Sequence, residues 1–303
     1  MMEKHSLAGA LHSCDILIVM SEQTEIMKSD GMREPFNHEK LLSSITRAGA
    51  SRDTAEKIAA HLERNELHDG ITSREIFEHA LALLGKTRSH AAGRYSLKRA
   101  VAAFGPSGFP FEKFVGELFR TRGFTVETNR IVRGQCAEHE IDVVAWNDAR
   151  LIFIEAKFHN ELGLKSDLKV ALYVKARFDD LLNAPVPWGR PGLTREMFLV
   201  TNTKFSETAV SYAACAGISL LGWNEPVKGN LHDMIETAEL HPITSLGTLT
   251  SSEKARLFER GVVLCKTVAE HEEILGEIGL DSERRKRVRE EAERVCHAVI
   301  TAE

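Results

Sequence analysis

The stretch LIFIEAK, residues 151–157, combines an apolar run with two charged residues. Its first four residues are apolar in succession, which is typical of a central strand buried on both faces. Because side chains alternate along a strand, Glu155 and Lys157 project from one face and Ala156 from the other. Charged groups directly after a buried strand cost desolvation energy unless they meet each other, a metal or water. The stretch therefore predicts a polar site at the end of a buried strand.

The preceding predicted strand, residues 140–146, supplies a second carboxylate, Asp142. Only the short turn 147–150 separates the two strands, so we expect them to be neighbours and Asp142 and Glu155 to converge. Two carboxylates with room for water suit Mg²⁺, which activates water and stabilises in-line attack on a phosphodiester. A lysine can orient the attacking water and balance charge. Glu-x-Lys is also a common tripeptide, so a solvated strand end is the alternative interpretation.

The surrounding sequence divides into three blocks. Gly105-Pro106-Ser107-Gly108 breaks the chain, and strands alternate with helices after it, which predicts an α/β fold with helices on the faces of a sheet. The blocks on either side are mostly helical by pattern. The predicted segments are a leader at 1–21, possibly disordered, an N-terminal domain at 22–104, an α/β domain at 109–224 and a helical C-terminal domain at 230–303.

Composition bounds the function. The chain has 303 residues, enough for two or three domains, and its 39 Lys and Arg stand against 44 Asp and Glu. Since the net charge is −5, any DNA contact must rest on a local groove or on a metal that offsets the acidic groups. Five scattered cysteines, none in a CxxC pair, indicate neither a zinc module nor a disulfide framework. No segment approaches the ~18 apolar residues of a membrane span. We expect a cytoplasmic protein with no membrane partner.

The α/β block resembles a known family. Residues 111–124 (FEKFVGELFRTRGF), 140–145 (EIDVVA) and 154–157 (IEAK), followed by 198–206 and 217–223, resemble the Mrr-type restriction endonucleases of the PD-(D/E)XK nuclease superfamily. The motifs stand in that family's order. The resemblance implies a restriction-endonuclease-like mixed sheet flanked by helices. It also implies a Mg²⁺-dependent endonuclease acting on DNA, with Mn²⁺ as an alternative metal.

The resemblance also implies roles for single residues. Asp142 and Glu155 would be metal ligands and Lys157 the catalytic lysine. Glu117 matches the acidic residue of the first helix that helps to hold the metal in many members, with a solvated helix position as the alternative. His139 invites a role as a general base, but a lone loop histidine is more often a bystander, which is the interpretation we favour.

A basic helix predicted at 166–182 is a candidate DNA contact. Lys165, Lys169, Lys175 and Arg177 recur on it or just before it and could face a phosphate backbone. Three aspartates dilute the patch, so a solvated face is an equal alternative. These aspartates are Asp167, Asp179 and Asp180.

The N-terminal block resembles a nucleotide-binding domain. Residues 26–41 (IMKSDGMREPFNHEKL) resemble the opening of the ATP-cone of ribonucleotide reductases, and residues 72–76 and 91–95 fall where its later helices are expected. A strand, a tight glycine turn and flanking lysines can present N–H groups and cations to a polyphosphate. The resemblance implies that Lys28, Arg33 and Lys40 bind ATP or dATP. A degenerate cone kept as a folding or dimerising module is the alternative. The chain has no GxxxxGK[ST] motif, so ATP would be a regulator and not a fuel.

These features predict a DNA endonuclease regulated by ATP or dATP. Two other functions fit the same residues. One is a catalytically inactive, nucleotide-sensing DNA-binding regulator, and the other is a structure-selective resolvase acting on branched, Holliday-junction-like DNA. The C-terminal helices fit either a helix-hairpin-helix-like DNA grip or an oligomerisation module, which leaves a homo-oligomer open.

Overall fold

A computed structural model describes residues 24–28, 31–47, 50–87, 97–161 and 163–296. The predicted leader at 1–21 and the ATP-cone segment at 91–95 lie outside the described residues. No helix in the described part of the chain has the length and apolar character needed to cross a membrane.

The N-terminal unit is a small hairpin packed on helices. Its elements are β1 (Glu25–Met27), β2 (Arg33–Pro35), α1 (His38–Arg47), α2 (Arg52–Asn65) and α3 (Ser73–Thr87). The hairpin turns at Gly31, whose φ of +81° is favourable for glycine. Helix α3 begins with a capping box, because Thr72 Oγ1 accepts from Glu75 N at 3.1 Å and Glu75 accepts from Thr72 N at 2.8 Å.

The central unit is a five-stranded mixed sheet, as predicted. Its strand order is β3-β4-β5-β7-β9, antiparallel from β3 to β5 and parallel from β5 to β9. The helices and strands, in chain order, are α4 (Leu97–Ala102), α5 (Phe109–Arg120), β3 (Thr125–Arg133), β4 (Glu138–Trp146), β5 (Arg150–Lys157), β6 (Lys165–Ser166), α6 (Leu168–Leu181), β7 (Thr194–Thr201), β8 (Lys204–Phe205), α7 (Glu207–Ala216) and β9 (Ile218–Leu221).

Helices cover both faces of this sheet. Helix α5 packs Phe111 and Phe114 in one core cluster with Ile152 and Ile154 of β5, and α6 and α7 pack over Phe153 in a second cluster on the opposite face. Residues 151–154 are almost completely buried, which confirms the strand buried on both faces that the apolar run predicts.

Helix α4 joins the units. The sequence pattern places it in the N-terminal block, but Leu97, Val101 and the adjacent Phe104 pack in the core of the central sheet. Its Arg99 side chain meets α3, where it donates to Glu78 Oε1 at 3.1 Å and lies over the Phe77 ring at 4.5 Å. Helix α4 therefore contacts both units.

The C-terminal unit is helical, as predicted. It contains α8 (Leu231–Thr237), the 3₁₀ turn Ile243–Ser245, α9 (Ser251–Glu259), α10 (Cys265–Glu270), α11 (Glu273–Glu277) and α12 (Ser282–Cys296). Helix α9 begins with a capping box between Thr250 and Glu253. The unit has its own core cluster, and α8 contributes Leu231 and Ile235 to the core of the sheet.

Candidate active site

Asp142 and Glu155 meet where β4 separates from β5. The pairing of these strands runs from Trp146–Leu151 to Val143–Ile154, and both carboxylates lie next beyond that last pair. Asp142 Oδ2 accepts a hydrogen bond from the backbone N–H of Ala156 at 2.7 Å. The Asp142 carboxylate is thus fixed against the backbone between Glu155 and Lys157.

A local irregularity in the neighbouring strand accompanies this placement. The β3–β4 pairing is interrupted at Asn129 and Asp142, with regular pairs on both sides. Asn129 has a φ of +54°, a left-handed conformation that asparagine tolerates better than most residues. Ile141 and Val143 face different core clusters although they lie two apart, so the strand changes face at Asp142. Asp142 therefore leaves the regular ladder at the point where it bonds to β5.

Arg177 of α6 compensates Glu155. Its Nη1 donates to Glu155 Oε2, and the side chains of Arg177 and Glu155 are only 7% and 12% exposed. The guanidinium also lies over the Tyr173 ring, 5.2 Å from its centroid. The sequence predicts that Arg177 could face a phosphate backbone. That prediction is wrong for Arg177, because the side chain is buried against a carboxylate.

The carboxyl of Asp142 titrates abnormally. Burial raises its pKa to about 7, helped by repulsion from Glu155 and Glu112, while the Ala156 N–H and Arg177 act in the opposite direction. Near neutral pH, it is therefore unfavourable for Asp142 to be ionised together with its neighbouring carboxylates.

The third carboxylate of the cluster is Glu112, and sequence reasoning missed it. Burial raises the pKa of Glu112, as does repulsion from Glu140 and Glu155, whereas a hydrogen bond with Asn129 lowers it. Glu117, the predicted residue of the same helix, pairs with Arg120 Nη1 at 2.5 Å, and its role at the metal stays a prediction.

Helical spacing explains the position of Glu112 once the packing of α5 against the sheet is known. One turn after Glu112, Gly116 lies so close to β3 that an added Cβ would stand 3.3 Å from Val126 Cγ1. Residues four apart share a helix face, so Glu112 lies on the side that packs against the sheet.

Lys157 lies at the end of β5 with an exposed side chain. No ion pair of Lys157 is found with any residue that the structure describes. Its carbonyl accepts from Thr201 Oγ1 at 2.8 Å, and the next loop is held by His159 N donating to Asn202 Oδ1 at 2.8 Å. The backbone at Lys157 is thus fixed while its ammonium group faces solvent. The positive charge of Lys157 also acts on His159, whose pKa is lowered first by burial and then by Lys157.

His139 has a structural partner, which agrees with the bystander interpretation. Its Nε2 lies 2.7 Å from Asp180 Oδ2, and Asp180 also accepts from the N–H groups of Cys136 and Ala137. These bonds, His139 foremost, hold the pKa of Asp180 well below its usual range. Asp180 therefore clamps the loop before β4.

The remaining basic candidates lie at the surface around α6. Lys165 and Lys169 are exposed, and Lys175 pairs with Asp179 one turn later. Their contact with a phosphate backbone stays a prediction.

Two of the three predicted nucleotide ligands converge in the N-terminal unit. Lys28 Nζ and Lys40 Nζ lie 3.0 Å and 3.1 Å from the same oxygen, Glu34 Oε1. Lys28, and then Lys40, lower the pKa of Glu34. Arg33 is directed elsewhere, toward Glu25 and Asp69 at 3.5 Å and 3.7 Å.

Comparison with known proteins identifies both ends of the chain. Residues 24–100 match the ATP cone domain, which confirms the predicted N-terminal domain, and residues 241–296 match the AF1548-like C-terminal domain. An uncharacterized protein of Archaeoglobus fulgidus is 40% identical over 182 residues, which are 60% of this chain and 99% of the relative. The chain belongs to the AF1548-like family.

The solved structure of AF1548 agrees with this assignment. The crystal structure of AF1548, a protein of unknown function, is 39% identical to this AF1548-like protein and has a TM-score of 0.54, covering 63% of this chain and 98% of the other. MspJI restriction endonuclease, in complex with a 27-mer oligonucleotide, is 12% identical, with a TM-score of 0.32 and coverage of 61% and 40%.

Can2 from Sulfobacillus thermosulfidooxidans, in complex with cyclic tetra-adenylate, is also 12% identical, with a TM-score of 0.30 and coverage of 66% and 53%. Both of these likenesses are too weak to bear on activity. The Mrr-type assignment therefore stays a prediction.

The acidic cluster of this AF1548-like protein fits a hard divalent cation in its chemistry. Asp142, Glu155 and Glu112 offer carboxylate oxygens. Burial, and then repulsion from neighbouring carboxylates, raises the pKa of Asp142 and of Glu112, and a bound cation would stabilise their ionised forms. Over the described ranges, however, no three His, Cys, Asp or Glu side chains are close enough to form a ready metal site. Mg²⁺ suits such a site, because it keeps several waters and takes only one or two protein carboxylates.

Proposed function

We propose that this AF1548-like protein is a metal-dependent DNA endonuclease regulated by ATP or dATP at its cone. The observation that carries the proposal is the contact between Asp142 Oδ2 and the Ala156 N–H at 2.7 Å. It fixes one carboxylate beside Glu155 at the end of a buried strand, with Lys157 two residues beyond. A solvated strand end needs no such contact.

Each side chain has a distinct role in the proposed reaction. Asp142 and Glu155 would hold Mg²⁺ or Mn²⁺, and Glu112 adds negative charge beside them. When bound, the metal supplies charge stabilisation for attack on a phosphodiester. Lys157 orients the attacking water and offsets charge on the phosphate, which its exposed ammonium group allows. Arg177 holds Glu155 in a fixed position.

The ATP cone supports nucleotide sensing. Lys28 and Lys40 share a single carboxylate oxygen of Glu34, so two cations already converge where a polyphosphate would bind. Because the chain lacks a GxxxxGK[ST] motif, the nucleotide acts as an effector and is not consumed.

One observation favours a second candidate, a nucleotide-sensing DNA-binding regulator that does not cut. The buried Arg177 already occupies one oxygen of Glu155 that a metal would use. The Arg177 guanidinium could take the place of a metal at Glu155 permanently, so that the site would bind no divalent cation.

Plasmid cleavage separates the two candidates. Supercoiled, linear and four-way-junction DNA would be incubated with the protein and Mg²⁺ or Mn²⁺, with and without ATP or dATP. We expect nicking by the wild type and none by Asp142→Asn or Lys157→Ala. Asp148→Asn is the matched control, since this exposed residue lies in the turn at the other end of β4 and β5. Intact DNA in every wild-type reaction would refute the nuclease, and cleavage of junctions alone would indicate a resolvase.

A further inference from the structure

Lys98 of α4 is a cation in an unusual position. Its side chain is largely enclosed between the cone and the sheet, and its Nζ lies 5.8 Å from the centroid of the Trp223 ring. Among the residues that the structure describes, none forms an ion pair with it. Burial lowers the pKa of Lys98 to about 8, with further lowering by Lys204 and Lys28. An enclosed ammonium group surrounded by like charges is costly to keep.

The two neighbouring lysines come from different units of the protein. Lys204 lies on β8 of the central unit, and Trp223 N donates to the carbonyl of the adjacent Thr203 at 2.9 Å. This bond brings the backbone at residue 204 close to Trp223, whose ring Lys98 faces. Lys28 directly follows the first strand of the cone, β1, and pairs with Glu34 at 3.0 Å. Cone, linking helix and sheet thus each contribute one ammonium group.

We propose that Lys98 and Lys204 complete a polyphosphate site that the cone shares with the central domain, with Lys28 as the cone's own contribution. The proposal rests on the nucleotide sensing proposed above and extends its ligands beyond Lys28, Arg33 and Lys40. The ligand class is a nucleoside triphosphate, because several adjoining negative charges are needed to compensate three ammonium groups. A single phosphate carries at most about two negative charges, fewer than the three ammonium groups.

The location gives the site a regulatory role. Lys204 follows β7, whose last residue, Thr201, is paired with Lys157 in the parallel register. Lys204 and the proposed catalytic Lys157 therefore lie near the carboxyl ends of two adjacent parallel strands, β7 and β5. A nucleotide that bridges Lys28 and Lys204 would fix the cone against this end of the sheet. It would change the population of this arrangement only if it binds this arrangement more tightly than other arrangements of the cone and the sheet.

Calorimetry on the full chain tests the proposal, with ATP, dATP and inorganic tripolyphosphate as probes. Lys98→Met keeps an apolar stem on Trp223, and Lys204→Ala changes an exposed residue. We expect each variant to bind ATP about tenfold more weakly, the effect of losing one charge-assisted hydrogen bond. Lys266→Ala is the control, since Lys266 is exposed in the C-terminal domain and pairs with Glu270 at 3.8 Å. Thermal melting without ligand should show that all three variants fold.

The possible outcomes are distinguishable. If the wild type binds ATP and both variants bind it as tightly as the control, the shared site is refuted while nucleotide sensing stands. If the variants lose affinity for a DNA duplex and keep their affinity for ATP, the lysines serve DNA and the proposal also fails. If the wild type does not bind ATP at millimolar concentration, the sensing part of the proposed function fails with it. All of these readouts are independent of cleavage.

Discussion

Replacing Asp142 by Asn should stabilise the metal-free protein at pH 8 and abolish DNA cleavage. The reason is that burial and the neighbouring carboxylates penalise the ionised form of Asp142. Asn has nearly the same shape, and its amide oxygen can still accept the hydrogen bond from Ala156 N, which measures 2.7 Å in the native protein. The substitution therefore removes an unfavourable charge and keeps the contact that positions the side chain.

The pKa of Asp142 sets the size of the effect. It lies at about 7 in the folded protein, against an ordinary value of 3.8. Each pKa unit corresponds to about 1.4 kcal/mol, so ionised Asp142 lowers the free energy of unfolding by at most about 4 kcal/mol at pH 8. Asn should recover a large part of this.

The effect depends on pH in a defined direction. Because the folded-state pKa is raised, the folded protein binds more protons than the unfolded chain between pH 4 and pH 7. The contribution of the protonated carboxyl to the free energy of unfolding is fully present below pH 4 and is lost as the pH rises through 7. The advantage of Asn should therefore shrink from about 4 kcal/mol at pH 8 to about 2 kcal/mol at pH 5.

Urea unfolding in EDTA, at both pH values, measures this difference. Adding Mg²⁺ at pH 8 should stabilise the wild type and leave Asp142→Asn unchanged, because ligands stabilise the state that binds them. A wild type that is more stable than Asp142→Asn at pH 8 in EDTA would refute the electrostatic reasoning. An equal response of the two proteins to Mg²⁺ would refute Asp142 as a ligand.

Four further substitutions test the other residues in and around the cluster. Glu112→Gln should lower the rate of cleavage about tenfold or more through weaker metal binding, whereas Glu117→Gln should leave the rate nearly unchanged. A plasmid-nicking assay measures both rates, and the reverse order would restore Glu117 as the helix ligand. Lys157→Ala should slow single-turnover cleavage by about 10²-fold or more with little change in DNA affinity, and a loss seen only in affinity would contradict its placement at the reacting phosphate. Arg177→Met should cost about 3 kcal/mol at pH 8 in urea unfolding because it leaves Glu155 buried and uncompensated, and an unchanged midpoint would show that the pair contributes little.

The sequence predicts the central sheet well, because hydrophobic patterning is a direct consequence of burial. The apolar run 151–154 identifies β5, and the motif order places α5 and the strands around it. Strand β3, Thr125–Arg133, is harder to predict from hydrophobic patterning, since its polar middle resembles a turn. The left-handed residue Asn129 lies within that middle and lets the strand continue.

The residues that complete the site could not be predicted in the same way. Arg177 lies one turn beyond Val174 and next to Phe178, on the face of α6 that packs against the sheet. A charge at such a position looks like an exposed residue until its buried carboxylate partner is known. Choosing between Glu112 and Glu117 likewise required knowing which face of α5 meets β3. Both are tertiary facts that a local pattern does not contain.

Two clusters of like charge stand near one end of this sheet, and their signs are opposite. The ionised form of Asp142 is unfavourable because it is buried near other carboxylates. The protonated form of Lys98 is unfavourable because it is buried near other lysines. Each cost is relieved by a ligand of the opposite charge, a divalent cation in one case and a polyphosphate in the other. Since Lys157 and Thr201 are paired in register and Lys204 follows closely, the two proposed ligands would bind within a short stretch of the same strand ends. Nucleotide control of the nuclease would then need no long structural path, because the two sites act on one local balance of charge.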